Sequence, residues 1–327
     1  MIPPSKNIDF IVLTGPLGSG KTTLLEQLFC HHDIGSGTAV IVNEAGAVNI
    51  DGAVLVESAN GLVIETLSNG CVCCSLGNDL VFTVQELLES RAKMDLPPFD
   101  RIVLECSGLS LPGQVLRALA GLAHLKMSVS ILCTYDCKRP PLDSAEFFAI
   151  AAQLSAAQAV VLTKTDLVSA TDIQMARTTI SQINPMASVI DEPDLSRRSQ
   201  QAFVVAAHRP NEPPVLQNLK LNLATAHPRI GVFQATLPDV ELEDVIEWLE
   251  NITGALGERL LRCKALIPTA KSDVLIQTIG TTFSAPRALS KQEGRQGVAI
   301  FITQDCSQIE LRNAPKCFEV NWIKNFK

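Results

Sequence analysis

The amino-acid sequence predicts an α/β protein with a mainly parallel sheet, followed by a smaller C-terminal α+β domain. Short apolar runs alternate with amphipathic stretches over residues 8–190, and a glycine-rich turn follows the first of those runs. Strands that alternate with helices pair in parallel through right-handed crossovers. The ligand crevice of such a sheet lies at the carboxyl ends of its strands. After residue 190 the pattern changes, which predicts a separate second part.

The elements of the first part follow from their apolar spacing. The continuous apolar run 8–13 predicts a strand buried on both faces, and apolar residues at helical spacing predict a helix directly after the glycine turn. Further strands are predicted over 39–42, 102–104, 129–133 and 159–162, and a hairpin over 54–56 and 62–64. Further helices are predicted around 80–88, 115–122, 147–154 and 173–183.

Prolines and polar residues set the predicted domain boundaries. Five prolines punctuate the polar stretch 191–228, which predicts a linker between a first domain, 1–190, and a second, 229–327. In the second domain, apolar or alternating runs predict strands near 230–235, 260–267, 274–279 and 298–302, with a helix that carries Trp248. Its length of about 100 residues is typical of a domain.

The composition indicates a globular protein and argues against nucleic-acid and membrane partners. Apolar residues make up 46% of the 327 residues and charged residues 19%, which is typical of a globular protein. Acidic residues outnumber basic ones by 34 to 27 without a basic stripe, so no nucleic-acid partner is expected. The longest apolar stretch, 147–162, contains three interrupting polar residues and predicts a helix and a strand, not a membrane span. We expect a cytoplasmic protein without a membrane partner.

The glycine-rich turn matches a phosphate-binding loop (P-loop), which predicts a P-loop NTPase. Glycines let the backbone turn tightly and point its amides inward, and the next helix directs its amino end at the phosphates. Lys21 offers a positive charge to the β and γ phosphates, and the Thr22 hydroxyl can bind Mg²⁺. The predicted nucleotide contacts of this loop are Gly15, Gly18, Ser19, Gly20, Lys21, Thr22 and Thr23.

Two later segments complete the predicted nucleotide site. Glu105 ends a buried strand, where a carboxylate can hold Mg²⁺, and the amide of Gly108 can meet the γ-phosphate. We therefore assign catalysis to Lys21, Thr22 and Glu105. The segment Thr163-Lys164-Thr165-Asp166 follows another strand. Asp166 can accept hydrogen bonds from N1–H and the 2-amino group of guanine, which adenine lacks, and the stem of Lys164 can cover the base.

A cysteine cluster is the second chemical signal. Cys71, Cys73 and Cys74 lie within four residues of a loop marked by Gly and Asn. Thiolates favour soft or borderline cations such as Zn²⁺, Cu⁺, Co²⁺ or Ni²⁺. Three sulfur ligands leave one tetrahedral position open, which suits metal transfer better than a closed structural site. A redox pair and inert buried thiols are the alternatives.

With these segments in place, the chain resembles the CobW-type GTPases, relatives of the urease and hydrogenase nickel-insertion GTPases. The matching segments occur in the family's order: 15–23, Asn43-Glu44-Ala45-Gly46 with Asp51, 70–74, 105–108, and Lys164 with Asp166. The C-terminal part resembles the smaller CobW C-terminal domain. The guanine loop of the family usually begins with Asn, whereas here it begins with Thr163.

The resemblance implies Mg²⁺-dependent GTP hydrolysis coupled to delivery of a transition metal, zinc or cobalt first and nickel next, to a recipient protein. Glu44 would lie in the first switch and add an oxygen ligand near the thiolates. The resemblance leaves a homodimer open. Two other hypotheses stay open at this point: a small-molecule P-loop kinase with a structural zinc loop, and a thiol redox sensor that uses the cysteine cluster.

Overall fold

A computed structural model of the chain describes residues 8–29, 37–42, 63–66, 76–125, 127–139, 146–207 and 227–323. The cysteine cluster and the predicted first switch with Glu44 lie outside these residues. The chain divides into two compact units near residue 208, and the short segments 154–156 and 178–187 group with the second unit. No helix within the described ranges has both the length and the apolar character needed to cross a bilayer.

The first unit is built on a seven-stranded sheet in which each recorded pairing is parallel, in the order β3-β2-β4-β1-β5-β6-β7. The predicted first strand is confirmed at the centre of this sheet, and residues 10–13 are completely buried. The strands are β1 (Asp9–Thr14), β2 (Thr38–Val42), β3 (Val63–Thr66), β4 (Arg101–Glu105), β5 (Ser128–Asp136), β6 (Ala159–Thr163) and β7 (Ser188–Ile190).

Helices cover this sheet, as the alternating pattern predicts. Leu25 and Leu28 of the first helix share one core with Ile11 and Val103 of the sheet. The described helices of this part of the chain are α1 (Lys21–Phe29), α2 (Leu76–Lys93), α3 (Pro112–Leu119), α4 (Phe147–Ala156), α5 (Ala170–Ile183) and α6 (Leu195–Ala207). Short 3-10 helices span Ala120–Leu125 and Thr165–Leu167.

One predicted feature differs from the structure. The stretch 191–228 was expected to be a linker, but its first part forms α6, because Ala202, Phe203 and Ala206 recur at helical spacing and pack into the first core. The prolines of this stretch stand outside the helix, so they do not break it. β3 pairs in parallel with β2. The hairpin predicted over 54–56 and 62–64 stays a prediction, because 54–56 lies outside the described residues.

The second unit contains an antiparallel sheet in the order β11-β10-β9-β13-β8-β14, with β12 paired to β10. Helix α7 (Leu242–Leu256) presents Trp248 to this sheet, where its ring meets the Phe301 ring edge-on at 5.6 Å. The predicted α+β domain is therefore confirmed. The elements are β8 (Ile230–Leu237), α7, β9 (Leu260–Pro268), β10 (Asp273–Ile279), β11 (Thr282–Phe283), β12 (Arg287–Leu289), β13 (Gly297–Gln304), α8 (Gln308–Arg312) and β14 (Asn321–Trp322).

Candidate functional site

The turn between β1 and α1 has the backbone of an anion cradle. Gly15, Gly18 and Gly20 have φ angles of 142°, 71° and 87°, a region that side chains disfavour. A Cβ atom on Gly15 would lie 2.3 Å from the Thr134 hydroxyl oxygen and 2.7 Å from that residue's carbonyl oxygen. The amide of Leu24 donates to the carbonyl of Gly20, so α1 begins directly from the loop. The amino end of a helix is a favourable position for an anion.

Lys21 lies inside this cradle and is only 8% exposed. Its Nζ donates to the carbonyl oxygens of Gly15 at 2.9 Å and Pro16 at 3.1 Å. These contacts hold a positive charge within the loop. The position agrees with the predicted role of this lysine as the countercharge of a phosphate.

Neighbouring strands bring Thr22 and Glu105 together, although 83 positions separate them in the sequence. β4 pairs with β1, so the carboxyl end of β4 comes beside the first turn of α1. The Thr22 hydroxyl donates to Glu105 Oε1 at 2.9 Å, and Glu105 is 6% exposed. A hydroxyl and a carboxylate supply oxygen ligands, which Mg²⁺ prefers, so this pair fits the predicted ion.

A cavity of about 790 Å³ opens over these residues. It is lined by the P-loop, by Glu105 at the end of β4 with residues 106–109 after it, by the start of α4 and by Lys164. This volume falls in the range typical of small-molecule sites. Cys106 also lines the cavity, and burial raises the pKa of its thiol to about 12 while nearby Lys21 acts to lower it. At neutral pH the thiol is therefore protonated and a poor nucleophile.

Buried Gln153 of α4 fixes the segment that follows β4. Its Nε2 donates to the carbonyl oxygens of Gly108 at 3.0 Å and Ser110 at 3.2 Å. Gly108 in turn sits against the P-loop, because a Cβ atom there would lie 2.4 Å from the backbone nitrogen of Leu17. The sequence predicts Gly108 as a phosphate contact, but it shows Gln153 only as a polar interruption of an apolar stretch.

Replacing Gly108 with Ala is expected to weaken GTP binding about tenfold or more, because a displaced Gly108 amide would lose its predicted hydrogen bond to the charged γ-phosphate. The added methyl would displace the backbone at Leu17. GDP should lose less affinity than GTP, since the predicted partner of the Gly108 amide is the γ-phosphate. Fluorescence titration with labelled GDP and a non-hydrolysable GTP analogue measures both.

The matched control for this substitution is Gly254→Ala in α7, where an added Cβ meets nothing within 4 Å. This change removes a glycine from a helix interior and should stabilise the protein by about 0.5 to 1 kcal/mol. Its nucleotide affinities should equal those of the unchanged protein. Equal losses of GTP and GDP affinity in Gly108→Ala would contradict a γ-phosphate contact.

The segment predicted to bind the guanine base, residues 163–166, is called the base loop and begins at the end of β6. Thr163 is 8% exposed, and its hydroxyl donates to the carbonyl oxygen of Ser19 at 2.8 Å. This contact ties the base loop to the phosphate cradle. Lys164 has a φ of 55°, and its Nζ lies 2.6 Å from Oδ2 of Asp136. Asp166 is exposed on the 3-10 helix that follows, where a ligand can reach its carboxylate.

The predicted transition-metal ligands Cys71, Cys73, Cys74 and Glu44 fall outside the described residues, so this site stays a prediction. The described ranges contain no group of three or more His, Cys, Asp or Glu side chains arranged to hold a metal. Each cysteine that the structure describes is a free thiol. The described part of the chain therefore presents no competing metal centre.

A parallel sheet with a glycine cradle at the carboxyl end of β1, and an oxygen pair beside it, is the arrangement of a P-loop nucleotide-binding protein. Residues 9–191 match the family model described as CobW/HypB/UreG, nucleotide-binding domain. The chain belongs to this family, and the resemblance noted from its sequence motifs is confirmed.

Several characterised proteins are similar to this chain. It is 33% identical over 181 residues to the zinc chaperone YjiA of Escherichia coli strain K12, a match that covers 54% of this chain and 55% of YjiA. It is 31% identical over 190 residues to the zinc-regulated GTPase metalloprotein activator 1 of Schizosaccharomyces pombe, covering 55% and 44%. The chain thus spans about half the length of these two relatives.

Two further similarities extend over most of the chain. It is 28% identical over 356 aligned positions to the zinc chaperone CobW of Pseudomonas aeruginosa, covering 92% of this chain and 89% of that protein. A crystal structure of Zn(II)-bound YjiA GTPase from E. coli superposes with a TM-score of 0.63 at 22% identity, covering 95% of this chain and 98% of YjiA. At this identity the structural likeness concerns the fold.

Proposed function

We propose that this protein hydrolyses GTP with Mg²⁺ and uses its nucleotide state to bind and deliver a transition metal to a recipient protein. The observation that carries the proposal is the contact between Thr22 and Glu105 inside a P-loop cavity. The Thr22 hydroxyl and the Glu105 carboxylate would supply oxygen ligands for Mg²⁺ beside the phosphate cradle. The names of the relatives as zinc chaperones and as a GTPase support the metal and the nucleotide.

Lys21, Thr22 and Glu105 have defined roles in this proposal. Lys21 and the loop amides neutralise phosphate charge, since phosphoryl transfer is catalysed mainly by positioning and electrostatics. Thr22 and Glu105 would hold Mg²⁺, which supplies further positive charge to the β and γ phosphates. The described lining contains no Gln or Arg to orient the attacking water. We therefore expect slow intrinsic hydrolysis that a partner accelerates.

Base recognition is assigned to the loop after β6. The carboxylate of Asp166 would accept hydrogen bonds from N1–H and the 2-amino group of guanine. Adenine has an acceptor at N1 and lacks the amine, so the same carboxylate would be left unpaired. Lys164 is held by Asp136 and borders the cavity, so its stem can cover the base.

The transported metal is assigned to Cys71, Cys73 and Cys74, with Glu44 as the fourth ligand. Three thiolates and one carboxylate suit tetrahedral Zn²⁺, and Co²⁺ or Ni²⁺ are the next candidates. Zinc is placed first because the named relatives are zinc chaperones. A cytoplasmic location and a homodimer stay predictions.

Coupling between nucleotide and metal is tested by titrating Zn²⁺ with and without a non-hydrolysable GTP analogue. We expect zinc affinity to differ about tenfold or more between the two conditions, a coupling within the usual range for linked sites. Reciprocally, zinc should change the affinity for the analogue by the same factor. Parallel titrations with Co²⁺ and Ni²⁺ rank the three metals by their affinity for the protein. Equal zinc affinity in both conditions would remove the coupling from the proposal.

A further inference from the structure

Arg198, a buried arginine on α6, donates hydrogen bonds to the base loop and to the strand that precedes it. Arg198 is 2% exposed, although it belongs to a stretch that the sequence predicts as a linker. Its Nη1 donates to the carbonyl oxygen of Leu162 at 3.1 Å, and its Nη2 donates to the Thr165 hydroxyl at 2.8 Å. Nη2 and Nε also donate to the carbonyl oxygens of Pro193 and Glu192. One guanidinium group thus joins the end of β6, the base loop and the start of α6.

Burial of this charge requires compensation, because a charged group loses its hydration there. Burial lowers the pKa of Arg198, and the nearby Asp166 carboxylate acts to raise it. The hydrogen bonds and this attraction together offset the lost hydration. The guanidinium fork is planar and rigid, so it fixes the groups that accept from it in direction as well as in distance.

The base loop is held on both sides of a strained residue. Lys164 has a left-handed backbone, which a residue other than glycine adopts only when its surroundings enforce it. On its amino side, Thr163 is tied to the carbonyl of Ser19. On its carboxyl side, Thr165 is tied to Arg198. Asp166 comes directly after this second attachment, so the direction of its carboxylate depends on it.

We propose that Arg198 is a positioning residue for base recognition, which keeps the Asp166 carboxylate aimed at the edge of guanine. The inference rests on the proposed role of Asp166. Arg198 acts through the loop and does not itself touch the nucleotide. Loss of its contact with Thr165 should therefore weaken the discrimination between bases more than the binding of phosphate.

The test compares dissociation constants for GDP and for inosine diphosphate, which lacks the 2-amino group. The unchanged protein should prefer GDP by about tenfold or more, because Asp166 loses a charged hydrogen bond with inosine. In Thr165→Val and in Arg198→Lys, the preference should fall to about threefold or less, because GDP loses two hydrogen bonds to Asp166 and inosine diphosphate loses only the one from N1–H. A purely structural role would lower both affinities by the same factor.

Matched variants separate the outcomes. Arg197→Lys changes the exposed neighbour on the same helix and should keep the full preference. Asp166→Asn should lose the preference for GDP and gain affinity for xanthosine diphosphate, whose 2-carbonyl accepts from an amide. If Asp166→Asn keeps its preference for GDP, the role of Asp166 fails and the inference with it.

If Asp166→Asn changes the preference while Thr165→Val and Arg198→Lys keep it, the proposed role of Asp166 stands and the inference is overturned. Thermal unfolding of each variant accompanies the titrations. Should Arg198→Lys fail to fold, Thr165→Val decides alone, because it removes only the hydroxyl that accepts from Nη2. An unchanged preference in that variant overturns the inference.

Discussion

Replacing Lys21 with Ala is expected to abolish GTP hydrolysis and to lower GTP affinity about 100-fold or more, in line with the loss of a charge that stabilises phosphoryl transfer. Its ammonium group is the positive charge buried in the cradle, 2.9 Å from the carbonyl of Gly15. Without it, the amides of the loop face the triphosphate alone. Titration with a fluorescent GTP analogue and a phosphate-release assay measure the two effects.

The control for this substitution is Lys93→Ala, which removes an equal charge from a side chain that is 76% exposed at the end of α2. It should leave affinity and hydrolysis unchanged. Thermal unfolding separates lost binding from lost folding, because Lys21 also bonds its own loop. A folded Lys21→Ala protein that still binds GTP with micromolar affinity would refute the P-loop assignment.

The parts of the fold that could be predicted are those set by local sequence. β1 was predictable because a strand buried on both faces needs a continuous apolar run. The cradle was predictable because positive φ angles at Gly15, Gly18 and Gly20 require residues without a side chain. In the second unit, β9 and β13 agree closely with the apolar runs that predict them. The order of strands in both sheets depends on long-range pairing, which no short window of sequence contains.

The missed residues act over long distances in sequence. Gln153 bonds Gly108, 45 positions earlier, and Arg198 bonds Leu162, 36 positions earlier. The sequence shows Gln153 only as a polar residue in an apolar stretch, and Arg198 only as part of a predicted polar linker. The hydrogen-bond partners of Gln153 and Arg198 become clear only from the positions of α4 and α6 in the structure. A polar residue inside an otherwise apolar helix is the signal that could have indicated Gln153.

Thr163, which stands where the family usually has Asn, contacts the phosphate cradle. Its hydroxyl bonds the carbonyl of Ser19, 144 positions away, and its methyl group faces the place where a Cβ on Gly20 would lie. Thr163 therefore joins the base loop to the phosphate cradle. The sequence predicts Thr163 as a nucleotide contact, whereas the structure shows its hydroxyl engaged with the protein itself.

The triple substitution of Cys71, Cys73 and Cys74 by Ser is expected to lower zinc affinity about 1000-fold or more, because hydroxyl groups replace the thiolates that bind Zn²⁺ strongly. GTP affinity should stay close to that of the unchanged protein, since the P-loop is intact. Competition with a chromophoric zinc chelator measures the first quantity, and nucleotide titration measures the second. Lys21→Ala should give the opposite pattern: zinc binding kept and nucleotide binding lost.

The matched control replaces Cys306 and Cys317 with Ser. Both are free thiols of the second unit; Cys306 is half-buried and Cys317 is exposed. Burial, the main cause, raises the pKa of Cys306 to about 11, so this thiol is protonated at neutral pH and is a weak zinc ligand. The double variant should bind zinc as tightly as the unchanged protein. If the double variant loses zinc while the triple variant keeps it, the metal is held by the second unit and the cysteine cluster is not the transfer site.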